Sequence, residues 1–235
     1  MNTCTLFRPP PSPGGHTIYM RPLPIDLVAL DSRDGRELFT QALLQGTMEG
    51  YFKLAQQFHT QSDPAYCALG SLVCGLNALQ IDPARAWKGP WRWFSEELLD
   101  CCKSLEEIRR SGLSLDEAAC LARCSDADVT LYRPPLGSLD AFREHVERSA
   151  TTDGGPVVIA NYSRRTLGQT GGGHFSPIGG YHAATHQVLV LDTARFKYPP
   201  HWVPIDLLFS AMLERDHETD RSRGWLLLQR RSTER

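Results

Sequence analysis

Apolar residues recur at helical spacing through most of the first half of the chain and in short runs through most of the second. The clearest helical run begins at Cys67, where Leu69, Leu72, Leu76 and Leu79 fall three or four positions apart and share one face. Pro64 disfavours helix at Asp63, and "IDP" ends the run. Upstream, "SRDGRELFTQALLQG" predicts a helix with a Ser or Asp cap and a Gly stop after Gln45; "TMEGYFKLAQQF" predicts a second, shorter one. "FSEELLDCC", "SLDEAACLARC" and "LGSLDAFREHVERSA" are further helix candidates, with Ser95 and Ser114 as N-caps of the first two.

After "TTDGGP" the period changes. "VVIANY" is a short β-branched run between turn residues, hence a buried strand. "HFSPIGGYHA" and "HQVLVLD" read as two strands joined by a short turn, "PIDLLFSAML" as a helix and "GWLLLQR" as a final strand. Helices first and strands later predict an α+β fold rather than alternating βαβ units. The 235 residues suffice for one domain with a real core. It is expected over 25–235, as a helical lobe over about 25–150 and a β-rich lobe over about 151–235. Residues 1–24, with "RPPPSPGG", predict a flexible Pro/Gly-rich arm. That arm holds Arg but no acid, so an organelle transit segment is the lesser reading.

Charge and cysteine content narrow the class. A formal net charge of -2 makes no electrostatic case for nucleic acid. No apolar run approaches the ~20 residues that span a bilayer, and no basic region followed by an apolar block marks a secretory signal. The seven cysteines are odd in number, which argues against a disulfide framework and for a reducing, cytoplasmic setting.

Three groups carry candidate chemistry. Cys67 at a helix start feels the positive end of the peptide dipoles, which favours thiolate; the competing reading is packing, since free Cys is often buried. His174 follows three glycines in "QTGGGHFSP", which let backbone approach a ligand, though a loop histidine with a backbone partner has the same look. Asp192 closes "VLVLD". A hairpin turning near Ala183 sets His174 and Asp192 roughly opposite, ~5 Å apart at the backbone, and a bulge shifts that register by one. The order Cys, His, Asp suits a thiolate nucleophile, its proton carrier and an acid that orients the imidazole. Gln61, six residues before Cys67, can donate to an oxyanion together with the Cys67 backbone N–H. Each group alone is a weak signal; their joint occurrence carries the reading.

Longer blocks carry a resemblance. "TQSDPAYC", "NALQIDPARAWKGPWRWFSEELLDCC", "CLARC", "GGHFSPIGGY" and "LDTARFKYPPHWVP" resemble the catalytic domain of phytochelatin synthases from about Leu38 to Trp225. The resemblance implies a papain-like fold with the nucleophile at a helix start in the helical lobe and an antiparallel sheet in the other. It implies transfer of γ-Glu-Cys from glutathione to a second glutathione or a phytochelatin, with release of glycine. Cys67 is then nucleophile, His174 base, Asp192 orienting acid and Gln61 oxyanion donor. Asp216 and Arg223 would hold the γ-glutamyl head, although "ERDHETDRSRGW" matches the family less tightly. Arg195, Lys197 and Tyr198 of "ARFKY" would hold the second substrate, with a solvated turn as the competing reading.

Cys101, Cys102, Cys120 and Cys124 match family cysteines. Cys120 and Cys124 would share a helix face, and thiolates suit Cd²⁺ or Zn²⁺, but helix packing is the favoured reading for all four. No tightly bound cofactor is expected. Metal enters as a Cd²⁺ or Zn²⁺ complex of glutathione thiolate, so glutathione, phytochelatins and heavy-metal ions are the expected partners. Nucleic acid and membrane are not, and a homodimer is left open. Cys74 reads as core, and Trp87, Trp91 and Trp93 as packing aromatics. The competing function is a hydrolase of the same architecture that removes glycine from glutathione or its S-conjugates. A non-enzymatic metal-thiolate binder is the reading from another class.

Overall fold

Six antiparallel pairings join seven strands into one sheet in the computed structural model, which describes residues 18–231. The strands are β1 (Val28–Ala29), β2 (Ala127–Tyr132), β3 (Val157–Ser163), β4 (Gly173–His182), β5 (Gln187–Val190), β6 (His201–Pro204) and β7 (Gly224–Arg230), in the order β1-β6-β5-β4-β3-β7-β2. The helices are α1 (Arg33–Leu44), α2 (Glu49–Ala55), α3 (Cys67–Ala78), α4 (Leu105–Ser111), α5 (Leu115–Cys124), α6 (Leu139–Thr151) and α7 (Ile205–Leu213). The α+β expectation therefore holds.

Side chains of the sheet alternate between two apolar cores. Val157, Ile159, Leu226 and Leu228 pack with α3 and α5; Val158, Ala160, Tyr162 and Leu227 pack with α6 and α7. A strand covered on both faces reads as a near-continuous apolar run, which is why "VVIANY", apart from the buried Asn161, shows no alternation. In α3, Leu69, Leu72 and Leu76 are buried as their spacing predicts, and so is every other residue from Ala68 to Asn77. Burying one such leucine side chain contributes about 1.5–3 kcal/mol.

Several expectations need correction. β1 and β2 come from the expected helical lobe, residues 25–150, so the sheet is not confined to residues 151–235. In "FSEELLDCC" only one 3₁₀ turn forms, over Glu96–Leu98, and the Ser95 side chain caps nothing. The next helix is α4, held by a Ser104–Glu107 capping box; Ser114 caps α5 with Glu117 as expected. The arm is anchored before Pro24: Met20 and Arg21 donate their N–H groups to the carbonyls of Phe196 and Lys197. Residues 1–17 of the expected arm lie outside the described residues.

The cysteines also differ from expectation. Cys101 pairs with Cys124 and Cys102 with Cys120, so two disulfides tie the segment after the 3₁₀ turn to one face of α5. All four are exposed, so they do not pack a core. The i, i+4 spacing on α5 presents two sulfurs side by side to two adjacent cysteines, an arrangement an odd total does not preclude. Trp91 is 71% exposed, and Trp87 and Trp93 are also exposed, so this "WKGPWRW" turn is not a packing element.

Candidate active site

α3 begins at Cys67 with no side chain capping its first turn, so its N–H groups are free to face a ligand. Cys67 is half-buried at one end of the sheet. Opposite it, β4 presents His174, directly across from Tyr162 of β3. The β4–β5 turn falls over Ala183–Thr185, and a bulge lies between Ile178 and Gly180. Near the turn the pairing is Gly180 with Leu189, so the hairpin is centred later than Ala183. The chain beyond β5 nonetheless brings Asp192 to His174: Nε2 lies 2.7 Å from Asp192 Oδ1. That bond leaves Nδ1 for Cys67.

Asp192 is wholly buried and heavily bonded. Oδ1 accepts from the Ala194 N–H at 2.9 Å, and one Arg164 nitrogen lies 3.0 Å from Oδ1 and 2.8 Å from Oδ2. Burial raises the carboxyl's pKa, but the charges of His174 and Arg164 overcome it and hold the group far below the usual carboxylate range. Burial and Arg164 push the His174 imidazole down, yet Asp192 and Cys67 leave it above its ordinary value. Burial pushes the Cys67 thiol up, but the His174 imidazole, the Phe175 N–H and Arg164 bring it below its ordinary value. All three shifts run in the direction of a thiolate–imidazolium pair backed by a carboxylate.

Arg164 is the group that the sequence does not announce. It follows the last residue of β3 in "NYSRR", where a charge normally marks the exit to solvent, yet it is buried. Its second nitrogen donates to Gln169 Oε1 at 2.5 Å, Gln169 contacts His201 Nε2 at 3.1 Å, and its guanidinium lies over the Tyr198 ring. Nothing in the residue pattern around "NYSRR" marks that burial.

Gln61 is also buried, and it bridges the two halves of the site. Its N–H donates to the Thr193 carbonyl, and its Oε1 accepts from the Thr193 hydroxyl at 3.1 Å. Its Nε2 donates to the carbonyls of Asp63 and Pro64 at 2.8 and 3.1 Å. In this arrangement both amide hydrogens shape the turn before Cys67, and donation to an oxyanion requires one of them to change partner.

A cavity of about 280 Å³ holds Cys67, Gly173, Phe175, Asp216 and Arg223 in its wall. Arg223 donates to Asp216 at 3.0 Å. A Cβ on Gly173 would sit 2.0 Å from an Arg223 nitrogen, so this glycine of the triple is the one that lets the guanidinium reach the cavity. Arg195 lies elsewhere, over the Phe58 ring, and with Thr60 and Phe196 lines a second cavity of about 520 Å³. Lys197 donates to the Thr170 carbonyl at 2.7 Å. Tyr198 is buried, and its hydroxyl accepts from the Thr170 N–H at 2.9 Å, so it braces the loop behind Arg164 instead of facing a ligand. As disulfides, Cys101, Cys102, Cys120 and Cys124 offer no thiolate to a metal.

A family model described as "Phytochelatin synthase" matches residues 18–225. The chain is 48% identical over 215 residues to "Glutathione gamma-glutamylcysteinyltransferase 1" of Arabidopsis thaliana, covering 91% of this chain and 44% of that one. It is 49% identical over 218 residues to the protein of the same name from Triticum aestivum, covering 92% and 43%. It is 43% identical over 213 residues to "Glutathione gamma-glutamylcysteinyltransferase" of Schizosaccharomyces pombe, covering 91% and 51%. The chain thus spans about half the length of these curated relatives. Among the described residues, no helix is long and apolar enough to cross a membrane.

Proposed function

Since the chain belongs to the phytochelatin synthase family, we propose that it transfers γ-Glu-Cys from glutathione to a second glutathione or a phytochelatin and releases glycine. The observation that carries this reading is the line of Cys67, His174 and Asp192 beside a cavity that Cys67 and the Asp216–Arg223 pair both line. Glutathione has an ammonium beside a carboxylate at its γ-glutamyl end. Asp216 suits the first and Arg223 the second, each exchanging its present partner for substrate.

The Cys67 thiolate attacks the carbonyl of the Cys–Gly bond, and the developing oxyanion faces the uncapped N–H groups of α3. His174 passes its proton to the departing glycine amine, and γ-Glu-Cys remains on Cys67 as a thioester. The α-amine of the acceptor then attacks that thioester, giving its proton to His174 and restoring the thiolate. Asp192 keeps the proton on Nε2 and stabilises the imidazolium throughout. Arg195, which lines the second cavity, would hold an acceptor carboxylate. Water in place of the acceptor gives hydrolysis, so the balance between the two depends on how well the acceptor amine is positioned.

Heavy metal enters this scheme on the substrate, as glutathione thiolate complexes of Cd²⁺ or Zn²⁺. If Cys101, Cys102, Cys120 and Cys124 are reduced, they are a further metal-thiolate candidate: the sulfurs of Cys101, Cys102 and Cys124 lie within 4.8 Å of one another. Incubation with glutathione and Cd²⁺, read by mass spectrometry, tests the proposal. γ-Glu-Cys oligomers ending in glycine support transfer; γ-Glu-Cys and glycine alone point to hydrolysis; no turnover rejects both.

A further inference from the structure

Two turns beyond Cys67, α3 carries a second free thiol, Cys74, which is buried as the sequence predicts. Its Sγ lies 3.5 Å from His59 Nδ1 and 3.3 Å from the Gln57 carbonyl oxygen, and that oxygen lies 3.4 Å from the same Nδ1. Three different donor atoms thus form a nearly equilateral triangle. A tetrahedral ion with ordinary zinc bond lengths to sulfur, nitrogen and oxygen holds its donors about 3.4–3.6 Å apart. The triangle has the size of one face of that tetrahedron. Hydrogen bonding accounts for it less well. Two protons serve three edges, and the nitrogen–oxygen edge exceeds an ordinary N–H···O distance.

The other side of the imidazole fits the same reading. His59 Nε2 lies 3.6 Å from Glu96 Oε1. Glu96 is itself held by the Ser62 N–H at 3.1 Å and by the Ser62 hydroxyl. The carboxylate stands beyond hydrogen-bond distance but sets a negative charge behind the ring, which favours a cation at the near nitrogen. Gln57, His59 and Glu96 also line a cavity of about 510 Å³, which gives an ion a route in and room for water at its remaining position.

We propose that Cys74 Sγ, His59 Nδ1 and the Gln57 carbonyl oxygen form a binding site for a divalent cation of the Zn²⁺ class, separate from Cys67 and from the exposed cysteine cluster. Sulfur with imidazole selects borderline and soft ions over Mg²⁺ or Ca²⁺. Binding replaces the thiol proton and any proton on Nδ1 with the ion, so filling the site releases protons and transfers no electron.

Co²⁺ is a suitable probe, because thiolate ligation gives it a near-ultraviolet charge-transfer band. The titration uses the full chain under non-reducing conditions, in a Cys67→Ala background that removes the other free thiol. One equivalent of Co²⁺ should produce the band, and Zn²⁺ should displace it. Adding Cys74→Val should abolish the band while circular dichroism stays unchanged. His59→Gln should keep a thiolate but weaken Co²⁺ binding at least about tenfold. A band that survives Cys74→Val, or an affinity that survives His59→Gln, overturns the assignment. If the valine variant fails to fold, the histidine variant decides alone, since that ring is partly exposed.

Discussion

α3 carries two arrays of the same residue types: Cys67 with His174 and Asp192, and Cys74 with His59 and Glu96. In the first, the imidazole grips its carboxylate at 2.7 Å, and a buried guanidinium fixes that carboxylate from behind. In the second, the corresponding distance is 3.6 Å, and the carboxylate is shared with Ser62. Cys67 is the first residue of the helix and borders a cavity; Cys74 lies inside the helix and faces a carbonyl oxygen. The helix dipole acts within the first turn and fades beyond it. Cysteine, histidine and an acid therefore do not by themselves make a nucleophile. An open helix end, with space for a substrate carbonyl, separates the proposed attacking thiolate from the proposed metal-binding one.

The largest test of that contrast is Cys67→Ser with Cys74 left intact. Glutathione turnover should fall by at least about 10⁴-fold, and product ions above a thousandth of the wild-type rate would mean Cys74 can act as nucleophile. Asp192→Asn comes next. It should lower turnover by about 10²–10⁴-fold and, by leaving Arg164 buried without its partner, cost about 3 kcal/mol in a urea denaturation.

The charge state of the first pair is tested by alkylation. Iodoacetamide should trap Cys67 with a midpoint below the ordinary thiol value of 9.0, and His174→Gln should move that midpoint upward. An unmoved midpoint would separate the imidazole from the thiolate.

The smallest effect is at His59. Its raised pKa contributes stability that is fully present below the ordinary 6.5 and lost as pH rises toward about 10. In metal-free buffer, His59→Gln should flatten the decline in melting temperature over that range. An equally steep decline in the variant would remove Cys74 and Glu96 as its cause.

What the sequence discloses and what it hides divide along physical lines. α3, α5 and α6 are readable because one apolar face or a capping serine marks each of them. Cys67, His174 and Asp192 are readable because each sits at an element boundary, where chain order and hairpin geometry constrain it. β6 is not, because "HWVP" is short and lies between prolines, and its burial comes only from pairing with β1 and β5. Arg164 is hidden because a charge after a strand ordinarily exits to water; its partner Asp192 lies 28 residues away. The disulfides are hidden because pairing depends on how the segment after the 3₁₀ turn lies against α5, which spacing does not encode. The triangle at Cys74 is hidden because one of its atoms is a backbone carbonyl, which every residue has.

The strand order also sets a schedule for assembly. β2 has β7 as its one partner in the sheet, and the pairing of Ala127 with Arg230 spans about a hundred residues of chain. Contacts so distant in sequence close late, after the local ones. Arg223 stands immediately before β7, so the same closure that pairs β2 carries the guanidinium to the cavity that Cys67 also lines. Cys67 and His174 stand 107 residues apart, a span as long as that between β2 and β7, so the thiolate and its substrate pocket both wait for the last third of the chain.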